Sequence, residues 1–417
     1  MIAPSELSTY GLRAKTASRT LARALPQAKN AALLSMAEKL RTRRAEIEAA
    51  NRQDLEAARS GGLSKAKLDR LRLDEKVLAD LISGLEQVAA MPDPIGEIEG
   101  MTIRPNSLQV GRMRTPLGVV GFIYESRPNA TVEASALTLK AGNAILLRGG
   151  KEAFRSNQVL VGLFRESLGE AGLPEDAVLL VPTTDRAAIL EMCRLETLDL
   201  LIPRGGKELI ELVRREARMP VLAHAEGVNH LYVDAEADLE MAVQIAVNGK
   251  TQRPSTCNAL EKVLVHASAA ERFLPQLEVA MTAARVELRG DERARAILPH
   301  IQPATEADWS TEYLDLILTL KVVDSLEEAL EHIAHYGSHH TEAICTHHHA
   351  HALRFLREVD ASLVLVNASP RFNDGFQLGL GAEIGISTSK LHAYGVMGVR
   401  ELTTTKWVAL GSGQIRE

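Results

Sequence analysis

From residue 94 onward this chain repeats one pattern, short runs of almost continuous apolar residues separated by longer segments of helical spacing, and few folds can accept it. The runs at 119–123, 144–147, 177–181 and 198–202 have no polar face, and helical segments begin near Thr131, Glu152, Asp185 and Lys207. Strands buried on both faces and alternating with helices predict βαβ units, hence a parallel sheet wrapped by helices. Ligands of such sheets collect at the carboxyl ends of the strands. The loops expected there are 125–129, 148–152, 182–185 and 203–207. A second region of the same kind is predicted further on, with strands near 316–323, 343–345 and 363–366 and helices near 269–283, 325–335 and 350–358. The expected fold class is therefore α/β with two parallel-sheet domains.

The flanks read differently. Residues 6–91 are helical throughout, with Leu33, Leu34, Ala37, Leu40 and Ile47 forming an apolar stripe beside charged residues, and Gly61-Gly62 and Pro92-Asp93-Pro94 punctuate the segment. The stretches 108–115 and 399–410 alternate as exposed strands do, and could pair as a small flap. Two strands alone are marginal, so such a flap is expected to find a second copy of the chain. Within 417 residues a net charge of −6 and few aromatics leave no basic stripe or stacking platform, so nucleic acid is not an expected partner. No apolar run approaches the roughly 20 residues of a membrane span. Three cysteines far apart, with no CxxC, argue for reduced thiols in a cytoplasm.

One of the three stands apart. Cys193 and Cys345 lie in apolar surroundings and are expected to pack as small hydrophobes. Cys257 sits in the polar turn Thr251-Gln-Arg-Pro-Ser-Thr-Cys257-Asn-Ala-Leu-Glu261, between a helical segment at 239–248 and a β-branched run at 262–266. Pro254 stops the preceding helix, and a loop between helix and strand is a common seat for a nucleophile. The pairs Gly149-Gly150 and Gly205-Gly206 each precede a helix, a setting that favours anions. Two further patterns are read as decoys. The glycines Gly379, Gly381 and Gly385 follow a polar loop and run into β-branched Ile384-Gly-Ile-Ser-Thr388, the wrong context for a dinucleotide fingerprint. His332, His335, His339, His340, His347, His348, His349 and His351 surround Cys345 without any recognised ligand spacing, so no metal is expected.

On several long segments the chain resembles the aldehyde dehydrogenase superfamily. These are Ile123-Tyr-Glu-Ser-Arg-Pro-Asn129, Lys140-Ala-Gly-Asn-Ala144, Arg148-Gly-Gly-Lys-Glu152, Pro203-Arg-Gly-Gly-Lys207, Gln252-Arg-Pro-Ser-Thr-Cys257-Asn-Ala259, Tyr336-Gly-Ser-His-His-Thr341 and the glycine-rich stretch from Asn373 to Thr388. The resemblance implies a dinucleotide-binding domain at 1–226 interrupted by a flap strand at about 106–115, a catalytic domain at 227–397 and an oligomerisation strand at 398–417. It implies Cys257 as nucleophile and Asn129 as an oxyanion donor. It gives Arg148 and Lys151 the adenosine ribose, Gly205 and Gly206 the pyrophosphate, and Glu312 the nicotinamide ribose. Hydrolytic members carry a water-activating glutamate some 33 residues before the cysteine. Here that position matches His224, with Glu226 close by.

Such a loss suits an enzyme that must keep its thioester from water. The implied activity is NADPH-dependent reduction of an acyl phosphate, L-glutamyl 5-phosphate, to L-glutamate 5-semialdehyde, the second step of proline biosynthesis. Arg253 or the nicotinamide would lower the thiol pKa. Arg127, Arg371 and Lys390 are candidates for the substrate phosphate and carboxylate. The cationic pair Arg148/Lys151 favours NADPH over NADH. A homo-oligomer and a transient contact with glutamate 5-kinase are the expected associations. A hydrolytic semialdehyde dehydrogenase and a non-catalytic dinucleotide-binding subunit are the competing readings.

Overall fold

Five helices, Glu6–Leu21, Pro26–Thr42, Arg44–Ser60, Lys65–Leu71 and Glu75–Ala90, open the computed structural model, which describes residues 6–224, 226–380 and 382–416. Pro26 begins the second helix, where its missing N–H costs nothing, and Asp74 caps the fifth by accepting from Val77 N at 3.0 Å. The second helix buries Leu33, Met36, Ala37 and Leu40, as the apolar stripe predicts, but Leu34 stays 49% exposed because it faces away from that stripe.

The chain forms two compact units, one of Met1–Ala223, Gly379–Gly385 and Met397–Glu417, the other of His224–Leu378 and Ile386–Val396. In the first, strands Val119–Tyr124, Ala144–Arg148, Val178–Leu180 and Leu200–Arg204 form a parallel sheet. Numbered in chain order they lie 3-2-1-4. The strands are buried on both faces, and helices Pro128–Lys140 and Phe154–Glu170 are crossovers between them. Strand order reverses between Val119–Tyr124 and Leu200–Arg204. Their carboxyl ends, carrying Glu125 to Asn129 and Gly205-Gly206, therefore flank a topological switch point.

The same unit holds a three-stranded antiparallel sheet. Gln109–Pro116 pairs with Thr403–Leu410 on one side, as alternation in the two stretches predicts, and with Ile98–Ile103 on the other. The third strand escaped sequence reading because all six of its residues are exposed, which leaves no hydrophobic alternation to detect.

The second unit contains seven parallel strands. Their spatial order is Gln302–Pro303, Glu287–Gly290, Ile317–Val323, Leu260–His266, Asn229–Val233, Thr341–Cys345 and Leu363–Val366. Helix Leu239–Thr251, capped by Asp238, crosses from Asn229–Val233 to Leu260–His266. The core between sheet and helices is built from Leu231, Val263, Phe273, Leu277 and Leu320 among others. Asn229–Val233, Glu287–Gly290 and Gln302–Pro303 are absent from the sequence reading. Two are too short to show a pattern, and Asn-His-Leu-Tyr-Val begins with two buried polar residues that mask its apolar character. Among the described residues no helix is long and apolar enough to cross a membrane.

Candidate active site

Four residues at the amino edge of the second unit's sheet come from the loops preceding four adjacent strands. Glu312 precedes Ile317–Val323, Cys257 precedes Leu260–His266, His224 precedes Asn229–Val233, and His340 immediately precedes Thr341–Cys345. The ligand atoms of His224, Cys257 and His340 all lie within 4.8 Å of one another, and the two imidazoles meet edge to face with centroids 5.1 Å apart. Burial alone would push the Cys257 thiol up. The charges of His224 and then His340, with hydrogen bonds from both rings, outweigh it and hold the thiol well below its ordinary range. Cys193 and Cys345, with no such neighbours, are pushed up by burial to about 11 and about 12.

The cysteine loop is held rigidly. Asn229 Nδ2 donates to the carbonyls of Cys257 and Ala259, both at 2.7 Å, and Asn258 Nδ2 donates to Asn373 O at 2.9 Å. Arg371 donates from Nε to Gln252 Oε1 at 2.8 Å and from Nη1 to Thr256 Oγ1 at 2.9 Å. Gly227 lies so close that a Cβ there would sit 1.8 Å from Cys257 O, so only glycine lets the two backbones meet. Gly227 N in turn donates to Glu312 Oε1 at 2.9 Å. Burial first, and then the charge of Cys257, raise the Glu312 carboxyl to about 7.

His224 Nδ1 lies 3.0 Å from the Ile386 carbonyl, which can only accept, so that nitrogen carries a proton. The position expected to lack a hydrolytic glutamate thus carries a group, His224, that acts directly on the Cys257 thiol. His340 was set among the decoy histidines, yet it belongs to the site. The signal that could have found it is the segment Tyr336-Gly-Ser-His-His-Thr341, ending where a buried strand starts. Several other histidines of that run have partners elsewhere. His332 packs on Trp309, His339 Nδ1 bonds Asp360 O at 2.7 Å, and His351 Nδ1 bonds Asp234 Oδ2 at 2.8 Å. Arg253, expected to lower the thiol pKa, is exposed, and the largest lowering influences on Cys257 are instead His224 and His340.

In the first unit, Asn129 lies in the opening turn of helix Pro128–Lys140 at the switch point. Its Nδ2 donates to Glu133 Oε1 at 3.1 Å, and burial raises the Glu133 carboxyl against the opposing influence of Asn129, Arg204 and Arg127. Gly205 packs against Leu209 and Glu125, and Gly206 N donates to Glu125 Oε2 at 3.4 Å. Arg148, to which the resemblance gives the adenosine ribose, makes its own contacts within the unit. It is buried, and its Nη2 donates to the carbonyls of Thr184 at 3.0 Å and Asp185 at 3.1 Å, tying adjacent strand-end loops together. Lys151 is exposed beside it. Lys390, in the second unit, is spent on a surface ion pair with Asp360 at 2.7 Å. Of the decoy glycines, Gly381 lies outside the described residues, and Gly385 opens a three-residue strand rather than a helix.

The family model described as "Aldehyde dehydrogenase family" matches residues 10–316. A protein named Gamma-glutamyl phosphate reductase from Meiothermus ruber is 73% identical over 100% of both chains, and one of the same name from Moorella thermoacetica is 54% identical over 99% of both. The crystal structure of Gamma-glutamyl phosphate reductase from Thermotoga maritima superposes with a TM-score of 0.97 at 48% identity, covering 99% of this chain and 100% of that one. With three quarters of its length in the family model and a full-length relative of that name at 73% identity, the chain belongs to the aldehyde dehydrogenase family, on the branch of the γ-glutamyl phosphate reductases.

Proposed function

We propose that this chain catalyses the NADPH-dependent reduction of L-glutamyl 5-phosphate to L-glutamate 5-semialdehyde and phosphate through a thioester on Cys257. The observation that carries this reading is the His224–Cys257–His340 cluster. It holds the thiol pKa well below its ordinary range and so favours the thiolate, in a chain so similar to proteins of that name. A thiolate attacks the acyl carbonyl without needing a base, and phosphate leaves as a weakly basic group. NADPH, held by the Gly205-Gly206 turn and Lys151, would supply the hydride that reduces the thioester. The resulting hemithioacetal then collapses by expelling Cys257, and the imidazoles that lower the thiol pKa also make it a better leaving group. The family correspondence gives Asn129 and the Cys257 N–H the oxyanion, a role in which one donor is worth roughly 3–4 kcal/mol.

The residues at the switch point fit a dinucleotide. A Gly-Gly turn opens helix Lys207–Glu216, and Lys151 stands exposed at the neighbouring strand end. With Arg148 turned into its loop, the preference for NADPH rests on Lys151 as the cation able to meet a 2′-phosphate. Arg127 and Arg371 remain our candidates for the substrate anions, Arg371 while also bracing the cysteine loop. The three-stranded sheet, with Ile103 73% and Trp407 69% exposed on its outer strands, is assigned to homo-oligomerisation, and the site to a cytoplasmic enzyme. A transient contact with glutamate 5-kinase would shield the labile acyl phosphate from water.

The test is reduction of NADP⁺ with glutamate semialdehyde supplied in its cyclic form. The rate should depend on added phosphate, and Cys257→Ala should abolish it while cofactor still binds. Equal rates without phosphate would establish a hydrolytic dehydrogenase instead. A higher kcat/KM with NADH than with NADPH would remove the cofactor assignment.

A further inference from the structure

The geometry points to a second ligand for this cluster: we propose that His224, Cys257 and His340 form a reversible Zn²⁺ site that blocks the nucleophile. Three observations support it. One thiolate and two imidazoles are the mixed S/N set that zinc prefers over the harder divalent cations. Their ligand atoms already lie within 4.8 Å of one another. A tetrahedral zinc with bonds of about 2.3 Å to sulfur and 2.0–2.1 Å to nitrogen sets its ligands roughly 3.3–3.6 Å apart, so closure needs side-chain movements of about 1 Å.

The second observation is the outer shell. Zinc-binding histidines characteristically donate their other ring N–H to a carbonyl or similar oxygen, which fixes the ring and its tautomer. His224 Nδ1 does this to Ile386 O at 3.0 Å, and His340 Nδ1 lies 2.7 Å from Thr341 Oγ1, so the other ring nitrogen of each, on the side that bonds Cys257, is the one to ligate. The third is the frame. The three residues come from loops entering three adjacent strands, and Asn229 pins the Cys257 backbone, so the set is preorganised.

Three protein ligands leave a fourth position for water. The ion takes the sulfur lone pair that would attack the acyl carbonyl, forming a Zn–S bond with no electron transfer, and displaces to solvent the ring protons through which the two imidazoles bond the sulfur; its removal by a chelator lets those protons return and restores the thiol–imidazole cluster.

The full chain, stripped of metal, is titrated with Zn²⁺ in competition with a chromophoric chelator. One equivalent should bind at micromolar affinity or better, and Cys257→Ser and His224→Ala should each weaken it at least tenfold. Co²⁺ in its place should give a thiolate charge-transfer band and the intense visible absorption of a four-coordinate site. Zn²⁺ should slow alkylation of Cys257, with EDTA restoring the rate. Unchanged zinc affinity in Cys257→Ser, a six-coordinate cobalt spectrum, or binding weaker than millimolar would overturn the proposal. None of these readouts involves turnover, so the zinc site stands or falls apart from the reaction assigned above.

Discussion

Removing both imidazoles, as His224→Gln/His340→Gln, tests what keeps Cys257 ionised. The comparison to make is the ratio of its iodoacetamide alkylation rates at pH 9 and pH 6. A rate at one pH would mislead, because a thiolate of higher pKa is intrinsically more nucleophilic, with a Brønsted coefficient of about 0.4–0.5, and this offsets the loss of thiolate. The ratio within one protein cancels that term. A thiol of ordinary pKa, about 8.5, goes from roughly 0.3% to roughly 75% ionised between those two pH values, a ratio of order 100 or more. In the double variant the burial that already pushes Cys257 up would be unopposed, so its ratio should reach at least that figure. The unmodified chain, whose thiol is held well below the ordinary range, ionises at lower pH and should show a ratio far smaller. His224→Gln alone should move the ratio further than His340→Gln, since the charge of His224 is the larger influence. Identical ratios in the unmodified chain and the double variant would refute the electrostatic account.

Glu312 makes the opposite pH prediction. Its carboxyl is raised to about 7, so between the ordinary value near 4.3 and about 7 the folded chain holds a proton that the unfolded chain has lost. That contribution is complete below the lower value and is lost as pH rises through the upper one, up to roughly 3 kcal/mol for a half-buried group. Glu312→Gln, which can still accept from Gly227 N, should therefore be more stable than the unmodified chain above pH 7 and gain little at pH 4; denaturant melts at the two pH values decide it. Gly227→Ala should cost about 1–3 kcal/mol and lower kcat, because the new methyl group meets backbone atoms of Cys257 that cannot swing aside; unchanged stability would mean the loop yields. Asn129→Ala should lower kcat by roughly 10²–10³ if its amide serves the oxyanion, whereas an unchanged kcat would point to another donor.

Much of the architecture was legible in the sequence because its signals are local. Apolar runs such as Val119-Val-Gly-Phe-Ile123 and Leu363-Val-Leu-Val366 report burial on both faces, and Pro254 and the polar residues around Cys257 mark a loop. The same reading singled out Cys257, which alone among the cysteines has a polar setting. Its failures share a cause. Arg148 was given the adenosine ribose, but no local pattern shows that its side chain bonds carbonyls 36 and 37 residues away.

The carboxyl-end rule directed attention to the first unit's loops, while the thiol's own partners lie at amino ends in the second. His224 and His340 are 116 positions apart, and neither stands next to Cys257 in the chain. They converge because Asn229–Val233 lies between Leu260–His266 and Thr341–Cys345 in the sheet, an order set by crossover packing and not by any local pattern. The sequence by itself therefore determined the fold class and singled out one thiol by its polar setting. Only the tertiary structure decided how that thiol is charged, because a pKa is set by what lies within a few ångströms, and strand order chooses those neighbours.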